Sequence, residues 1–152
     1  MNAIIRRGKA EDLPAVYDLV VELSIYEKEP DAVTATLEDY KHDFAENVFD
    51  ILVAEVDGEV VGMALYYLSY STWKGRMIYL EDFIVREAQR GKGIGKELFE
   101  AFLEDARQKE ARLIKWQVLH WNDPAINFYR KYDAILEKEW WNGKLFLVEG
   151  IQ

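Results

Sequence analysis

Seven residues past the midpoint of the chain, Arg90-Gly91-Lys92-Gly93-Ile94-Gly95-Lys96, limit the folds open to it more than any other stretch. Before them, Arg76–Val85 is apolar on both faces of a strand except at Glu81 and Asp82, the pattern of a central strand. After them, Gly93–Lys109 sets Ile94, Leu98, Phe102 and Ala106 at fourfold spacing, which predicts a long amphipathic helix. A strand, a glycine turn and a helix N-terminus bring unpaired backbone N–H groups and the positive end of a helix dipole to one point. Without Cβ atoms in the way, those amides can close on a phosphate. The flanking charge agrees: Arg86, Arg90, Lys92 and Lys96 stand against the single acid Glu87. Two nucleotide readings fail on spacing. A P-loop needs four residues before its Gly-Lys pair and then Ser or Thr, whereas here three residues separate Gly91 from Gly95-Lys96, and Glu97 follows. The dinucleotide fingerprint needs a third glycine where Lys96 stands.

The remaining chain reads as one mixed α/β domain over residues 1–152. Ala3–Arg7 predicts a strand, Ala10–Glu27 a helix, and Leu37–Ala45 a weaker helix. Ile51–Val56 and Glu59–Tyr70 predict paired strands around the hairpin signal Asp57-Gly58. Leu113–Leu119 predicts a strand, and Pro124–Tyr132 a short helix with Asp123 as its cap. Two closing strands, near Ile135–Trp140 and Lys144–Val148, are expected to turn at Asn142-Gly143.

Composition removes several classes of function. With no cysteine there is no disulfide, no thiolate metal site and no cysteine nucleophile, and only His42 and His120 remain as imidazole ligands, so no metal is expected. A net charge of −9 argues against a nucleic-acid partner. No apolar run reaches the roughly 20 residues that span a bilayer, and Met1–Ile5 leads into charge rather than a signal-peptide core. A membrane partner is therefore not expected, and a reducing cytoplasm is the natural compartment. The charge is unevenly spread: Glu22 to Glu59 holds twelve acids against Lys28 and Lys41. The plain reading of that stretch is a solvated face; the functional one is a surface that attracts cations.

Arg90, Gly93 and Gly95 meet the pattern Arg/Gln-x-x-Gly-x-Gly/Ala, which resembles the pyrophosphate loop of the GNAT superfamily of acyl-CoA-dependent N-acetyltransferases. Two further blocks, Tyr79–Val85 before the loop and Trp121-Asn122-Asp123-Pro124-Ala125-Ile126-Asn127-Phe128-Tyr129 after it, are similar to the spermidine/spermine (diamine) N-acetyltransferase branch and its thialysine-acetylating relatives. The resemblance runs from Ile4 to Phe146. It implies an α/β GNAT fold with a mixed, mostly antiparallel sheet flanked by helices, splayed to admit acetyl-CoA as co-substrate. It also implies that Arg90, Gly91, Lys92, Gly93, Ile94, Gly95 and Lys96 hold the diphosphate, and that the backbone of Phe83, Ile84 and Val85 pairs with the acetyl-pantetheine arm. By the same resemblance Asn122 contacts CoA, Tyr129 is the general acid, Tyr26 and Glu27 lie on the substrate side, and the protein is a homodimer.

Transfer of acetyl to a primary amine makes its own demands. An alkyl ammonium of pKa about 10.4 must lose a proton, and an ordinary carboxylate of pKa about 4.3 is too weak a base by about 8 kcal/mol in water. Glu81 is the candidate: regular alternation places it with Tyr79, Phe83 and Val85, an aromatic setting that would raise its pKa, while Asp82 faces the other way unless a bulge intervenes. The simpler role for Glu81 is to bind the ammonium. A phenol such as Tyr129 can return a proton to the departing thiolate, and Ala125, one helical turn earlier on the same face, leaves room for the pantetheine arm. Against this, Phe128, Tyr129 and Tyr132 read equally as core aromatics. The expected acceptor is a small primary amine, a diamine, a polyamine or a lysine-like amino acid. The diamine branch carries more acids near Tyr70-Ser71-Thr72-Trp73 and Glu139-Trp140-Trp141 than stand here, which argues against a long polyamine and leaves open a short amine, a lysine-like amino acid or a cation stacked on Trp140 or Trp141. Rival readings are a protein N-terminal or lysine acetyltransferase, a non-catalytic acyl-CoA-binding regulator, and an interaction domain without a ligand.

Overall fold

The computed structural model describes residues 2–151, which fall into two compact units, one ending at Trp116 and the other beginning at Gln117. The first unit holds a five-stranded sheet in the order β1 (Ile4–Arg7), β2 (Asp50–Val56), β3 (Glu59–Ser71), β4 (Gly75–Val85), β5 (Leu113–Lys115). Neighbours are antiparallel except β4 and β5, which run parallel. Its helices are α1 (Leu13–Tyr26), α2 (Leu37–Ala45) and α3 (Ile94–Gln108). The Asp57-Gly58 turn has both residues at positive φ, 50° and 81°, the geometry that two-residue hairpins favour because it matches the twist of the strands.

Both faces of the sheet are covered, which is why β2 and β3 read as near-continuous apolar runs rather than alternating ones. On one face, Leu13, Val16, Leu19 and Val20 of α1 pack on Ile51, Val53, Met63, Leu65 and Ile84, with Leu37, Tyr40 and Phe44 of α2 at the margin. On the other, α3 buries Leu98, Phe99, Phe102 and Ala106; Phe102 meets the Tyr66 ring at 4.8 Å and Phe99 meets Phe83 at 5.5 Å. Each such buried side chain stabilises the fold by roughly 1.5–3 kcal/mol before entropy is counted. Helix α2 starts on a reciprocal cap: the Asp39 N–H donates to Thr36 Oγ1 and the Thr36 N–H donates to the Asp39 carboxylate.

Three sequence expectations change. The strand expected over Leu113–Leu119 stops at Lys115. The second unit holds one helix, α4 (Asp123–Arg130), whose N-cap is Asn122 rather than Asp123: Asn122 Oδ1 accepts from the Ala125 N–H at 3.4 Å, and Pro124 follows within the first turn. The two closing strands do not form; residues 134–149 are without strand structure, and Ile135, Trp141, Leu145 and Leu147 are almost fully exposed. The alternating pattern is there, but a two-stranded hairpin with no third partner is marginal in water, and a turn dipeptide cannot supply that partner.

Candidate active site

The β4–α3 junction takes the shape its sequence demands. Gly91 and Gly93 both sit at positive φ, 79° and 84°, and Gly93 is the left-handed N-cap of α3. A Cβ built on either would meet no atom within 4 Å, so the concave side of the turn opens to free space. The first inward helical bond here is from the Glu97 N–H to the Gly93 carbonyl at 3.1 Å. The amides of Ile94, Gly95 and Lys96 precede it and face out of the helix end. Lys92 and Lys96 are exposed beside them, with the Lys92 ammonium donating to Gln89 Oε1 at 3.3 Å. Arg90 has a second duty: its Nε donates to the Val85 carbonyl at 2.8 Å, and its guanidinium lies 5.5 Å from the centroid of the Tyr26 ring. It fastens the loop to the end of the strand that feeds it.

That strand opens on one side. β3 pairs with β4 along its length up to Gly62 opposite Val85, whereas β5 pairs only at Met77, Ile78 and Tyr79. Among the described residues, Leu80–Val85 therefore has no strand on its β5 side, and this stretch of β4 leads to the glycine loop. An open cleft of about 350 Å³ adjoins it, lined by Glu22, Ile25, Tyr26, Ile84, Arg86, Glu87 and Arg90. That volume lies within the range of small-molecule sites. The Arg86–Glu22 ion pair, 3.2 Å, ties its two walls together.

A β-bulge sits just beyond the last β5 pairing. Leu65 is opposite Asp82 but Tyr66 is opposite Leu80, so Glu81 is the extra residue. Its insertion breaks the alternation. Leu80 follows Tyr66 onto the α3 face and Phe83 follows Ala64 there, against Phe99, while Asp82 follows Leu65 onto the α1–α2 face. Glu81 turns the same way, because its Oε1 accepts from the Tyr67 hydroxyl at 2.9 Å, and Tyr67 stacks on Tyr79 at 5.6 Å. Glu81 and Asp82 thus share one face, and Phe83 is not on it, contrary to the regular-strand expectation. The burial expected for Glu81 falls instead on its neighbour: Glu81 is exposed and Asp82 is partly buried. Burial, reinforced by the charges of Glu81 and Glu27, pushes the Asp82 carboxyl up to about 7. Burial also raises Glu27 at the end of α1, and it pushes the Tyr40 phenol on α2 up to about 12 with the help of Asp82.

Tyr26, Glu27, Glu81, the Phe83–Val85 stretch and the Arg90–Lys96 loop accordingly lie in the first unit. Asn122, Ala125 and Tyr129 belong to the second. There, Asn122 spends its side-chain oxygen on the cap, and Tyr129 is buried with its ring 5.5 Å from Phe128, which in turn meets Tyr132 at 5.6 Å. The sequence had not picked out Tyr40 or Tyr67, nor Asp82 as more than a neighbour. The available signal was the adjacent pair Glu81-Asp82 in a strand otherwise apolar on both faces, which a regular pleat cannot turn toward one side.

A sheet that parts between its parallel strands, with a glycine turn where the parted strand meets a helix, defines a class. Residues 13–133 match the acetyltransferase (GNAT) family, and the chain belongs to that family of acyltransferase enzymes, whose members use acetyl-CoA. Within it the chain falls in the spermidine/spermine acetyltransferase-like branch. It is 40% identical over 151 residues to the thialysine N-epsilon-acetyltransferase of Bos taurus, covering 91% of this chain and 89% of that one. It is 35% identical over 140 residues to spermidine/spermine N(1)-acetyltransferase-like protein 1 of Homo sapiens, covering 86% of this chain and 20% of that one. In fold it is similar to a solved aminoglycoside acetyltransferase from an uncultured soil metagenomic sample, with a TM-score of 0.79 over 96% of this chain and 97% of that one at 22% identity. None of the helices among the described residues is long and apolar enough to cross a membrane.

Proposed function

We propose that this enzyme moves acetyl from acetyl-CoA to a primary amine of a small molecule, a short diamine or a lysine-like amino acid, by direct attack within a ternary complex. The observation that carries most weight is the near full-length match to the thialysine N-epsilon-acetyltransferase, supported by the acids Glu81 and Asp82 on one face of β4 at its bulge and by Glu27, whose charge acts on Asp82. An ammonium is what such a group of acids attracts. Two halves make up the proposed catalytic domain, since the family match crosses from one compact unit into the other.

In this reading the amides and cations of residues 90–96 hold the diphosphate of acetyl-CoA, for which the open concave side of Gly91 and Gly93 leaves room. The backbone of Phe83, Ile84 and Val85, beyond the last β5 pairing, receives the pantetheine arm and offers N–H groups to the thioester oxygen as charge develops there. Asn122 contacts CoA, and the small Ala125 leaves room for the pantetheine arm. Tyr26 and Glu27 bound the acceptor, Glu81 binds its ammonium, and Tyr129 gives a proton to the departing thiolate. No metal enters this chemistry. The compartment is cytoplasmic, and the assembly is a homodimer in which the exposed Trp140, Trp141, Leu145 and Leu147 find cover.

The test is a panel of L-lysine, thialysine, 1,3-diaminopropane, putrescine and spermidine with acetyl-CoA, read as released thiol. Release with the short amines supports the proposal. Acetylation of peptides with none of the small amines turned over would move the enzyme to the protein-modifying class. Replacing Tyr129 with Phe should slow release by about 100-fold or more. Gly93→Val should remove the acetyl-CoA-induced thermal shift while the fold survives, because a β-branched side chain at φ 84° is strained and fills the open side of the turn.

A further inference from the structure

We infer that Asp82, rather than Glu81, is the group that takes the proton from the acceptor ammonium, with Glu81 acting on it as a charged neighbour. The inference deepens the proposed function and rests on it. It begins with the bulge. In a regular strand only one of two adjacent residues could face the acceptor side; the extra residue at 81 turns both toward α1 and α2. The two carboxylates then occupy different environments on that face. Glu81 is exposed, and Tyr67 Oη donates to it at 2.9 Å, which fixes its carboxylate where a cation can reach it from solvent. Asp82 is partly buried at the pleat beside Ile84 and opposite Leu65, and among the described residues no lysine or arginine forms an ion pair with it.

The titratable groups that act on Asp82 are Glu81 beside it on β4 and Glu27 at the end of α1. Tyr40 from α2 and Tyr67 from β3 face it as well, and their phenols stay protonated, both being raised. Two negative neighbours and burial all favour the protonated acid, and its ordinary value of 3.8 rises to about 7. Against an amine of pKa about 10.4, an ordinary aspartate is mismatched by several millionfold in proton affinity; a carboxyl at about 7 is mismatched by roughly 2,500-fold. That is a difference an enzyme can bridge by desolvating the ammonium.

The proton count closes. The ammonium gives one proton to the Asp82 carboxylate, and the free amine adds to the thioester carbonyl, forming the C–N bond. The nitrogen then loses a second proton as the C–S bond breaks, and the thiolate leaves as the thiol with the proton supplied through Tyr129. Asp82 returns its proton to solvent. One ammonium and one acetyl-CoA become one amide, one CoA thiol and one released proton.

The experiment is the pH profile of thiol release from acetyl-CoA for wild type, Asp82→Asn, Asp82→Glu and Glu81→Gln, using the fastest amine of the panel above. Wild type should show an acidic limb in kcat/KM near pH 7. Asp82→Asn should lower kcat at pH 7.5 by about 100-fold or more and abolish that limb, while the acetyl-CoA-induced thermal shift persists; Asp82→Glu should recover part of the rate. Glu81→Gln should raise the KM for the amine, since the ammonium loses a contact, and should keep the limb but move it to lower pH, because a negative neighbour is gone. A limb that survives in Asp82→Asn, or vanishes in Glu81→Gln, overturns the assignment and leaves the acetyltransferase reading intact. Failure of wild type with every amine of the panel overturns the small-amine reading and this inference with it. Should Asp82→Asn fail to fold, the direction in which Glu81→Gln moves the limb decides between the two carboxylates.

Discussion

Two carboxyl groups, one on each face of the sheet, divide the work of this molecule. On the α3 face Asp105 is 7% exposed and surrounded by donors: Lys109 at 2.6 Å, and Arg7 and Tyr66 each at 2.5 Å. Burial alone would raise its carboxyl, but the hydrogen bonds from Lys109, Tyr66 and Arg7 outweigh burial and hold it below the usual aspartate range. On the α1–α2 face Asp82 has neighbouring acids in place of cations, and burial with like charge pushes it to about 7. The same residue type, on the helix over one face and in the strand facing the other, becomes a fixed anion in one place and a proton carrier in the other. A structural ion pair is satisfied by the protein; the Asp82 site is left for a cation from outside.

The contrast makes graded predictions. Asp105→Asn leaves Arg7 and Lys109 facing a neutral group and should cost about 3–5 kcal/mol in urea unfolding at pH 7. That cost should be full above about pH 4 and fade at lower pH, because a carboxyl lowered in the folded state loses its stabilising charge as pH falls through its folded value. Asp82→Asn should act in the opposite direction. A carboxyl raised in the folded state keeps its proton where the unfolded chain has released it, so stability falls as pH rises from about 4 to 7. The variant should therefore be more stable than wild type by up to about 4 kcal/mol at pH 8 and no more stable at pH 4, by denaturation at both values. The smallest effect belongs to Tyr66→Phe, which removes one of three donors to Asp105 and should cost about 1–2 kcal/mol with catalysis unchanged. Equal and same-signed pH dependence in the two aspartate variants would erase the distinction between the faces.

How much of this was legible in the chain depends on how local the causes were. Gly91 and Gly93 announce a strand-to-helix turn because the strand before them and the helix after them are contiguous, and everything the turn needs lies within about twenty residues. Asp57-Gly58 works the same way. The Glu81-Asp82 pair was visible as two acids in a buried strand, but which way each points is decided by the register with Leu65 and Tyr66, residues on another strand. Asn122 took the cap from Asp123 because the two differ by one position, and sequence does not resolve helix starts that finely. The closing segment had alternation and an Asn-Gly turn, yet a strand is completed only by a neighbour, and residues 134–149 have none within the described chain.

The central claim is that the amides at the start of α3 receive the diphosphate of acetyl-CoA, and hydrogen exchange reads it directly. On saturation with acetyl-CoA, the amides of residues 91–96 should slow strongly, while the amides buried in β2 change little. Unchanged exchange across residues 91–96 at saturating acetyl-CoA, with protection appearing elsewhere or nowhere, would contradict it.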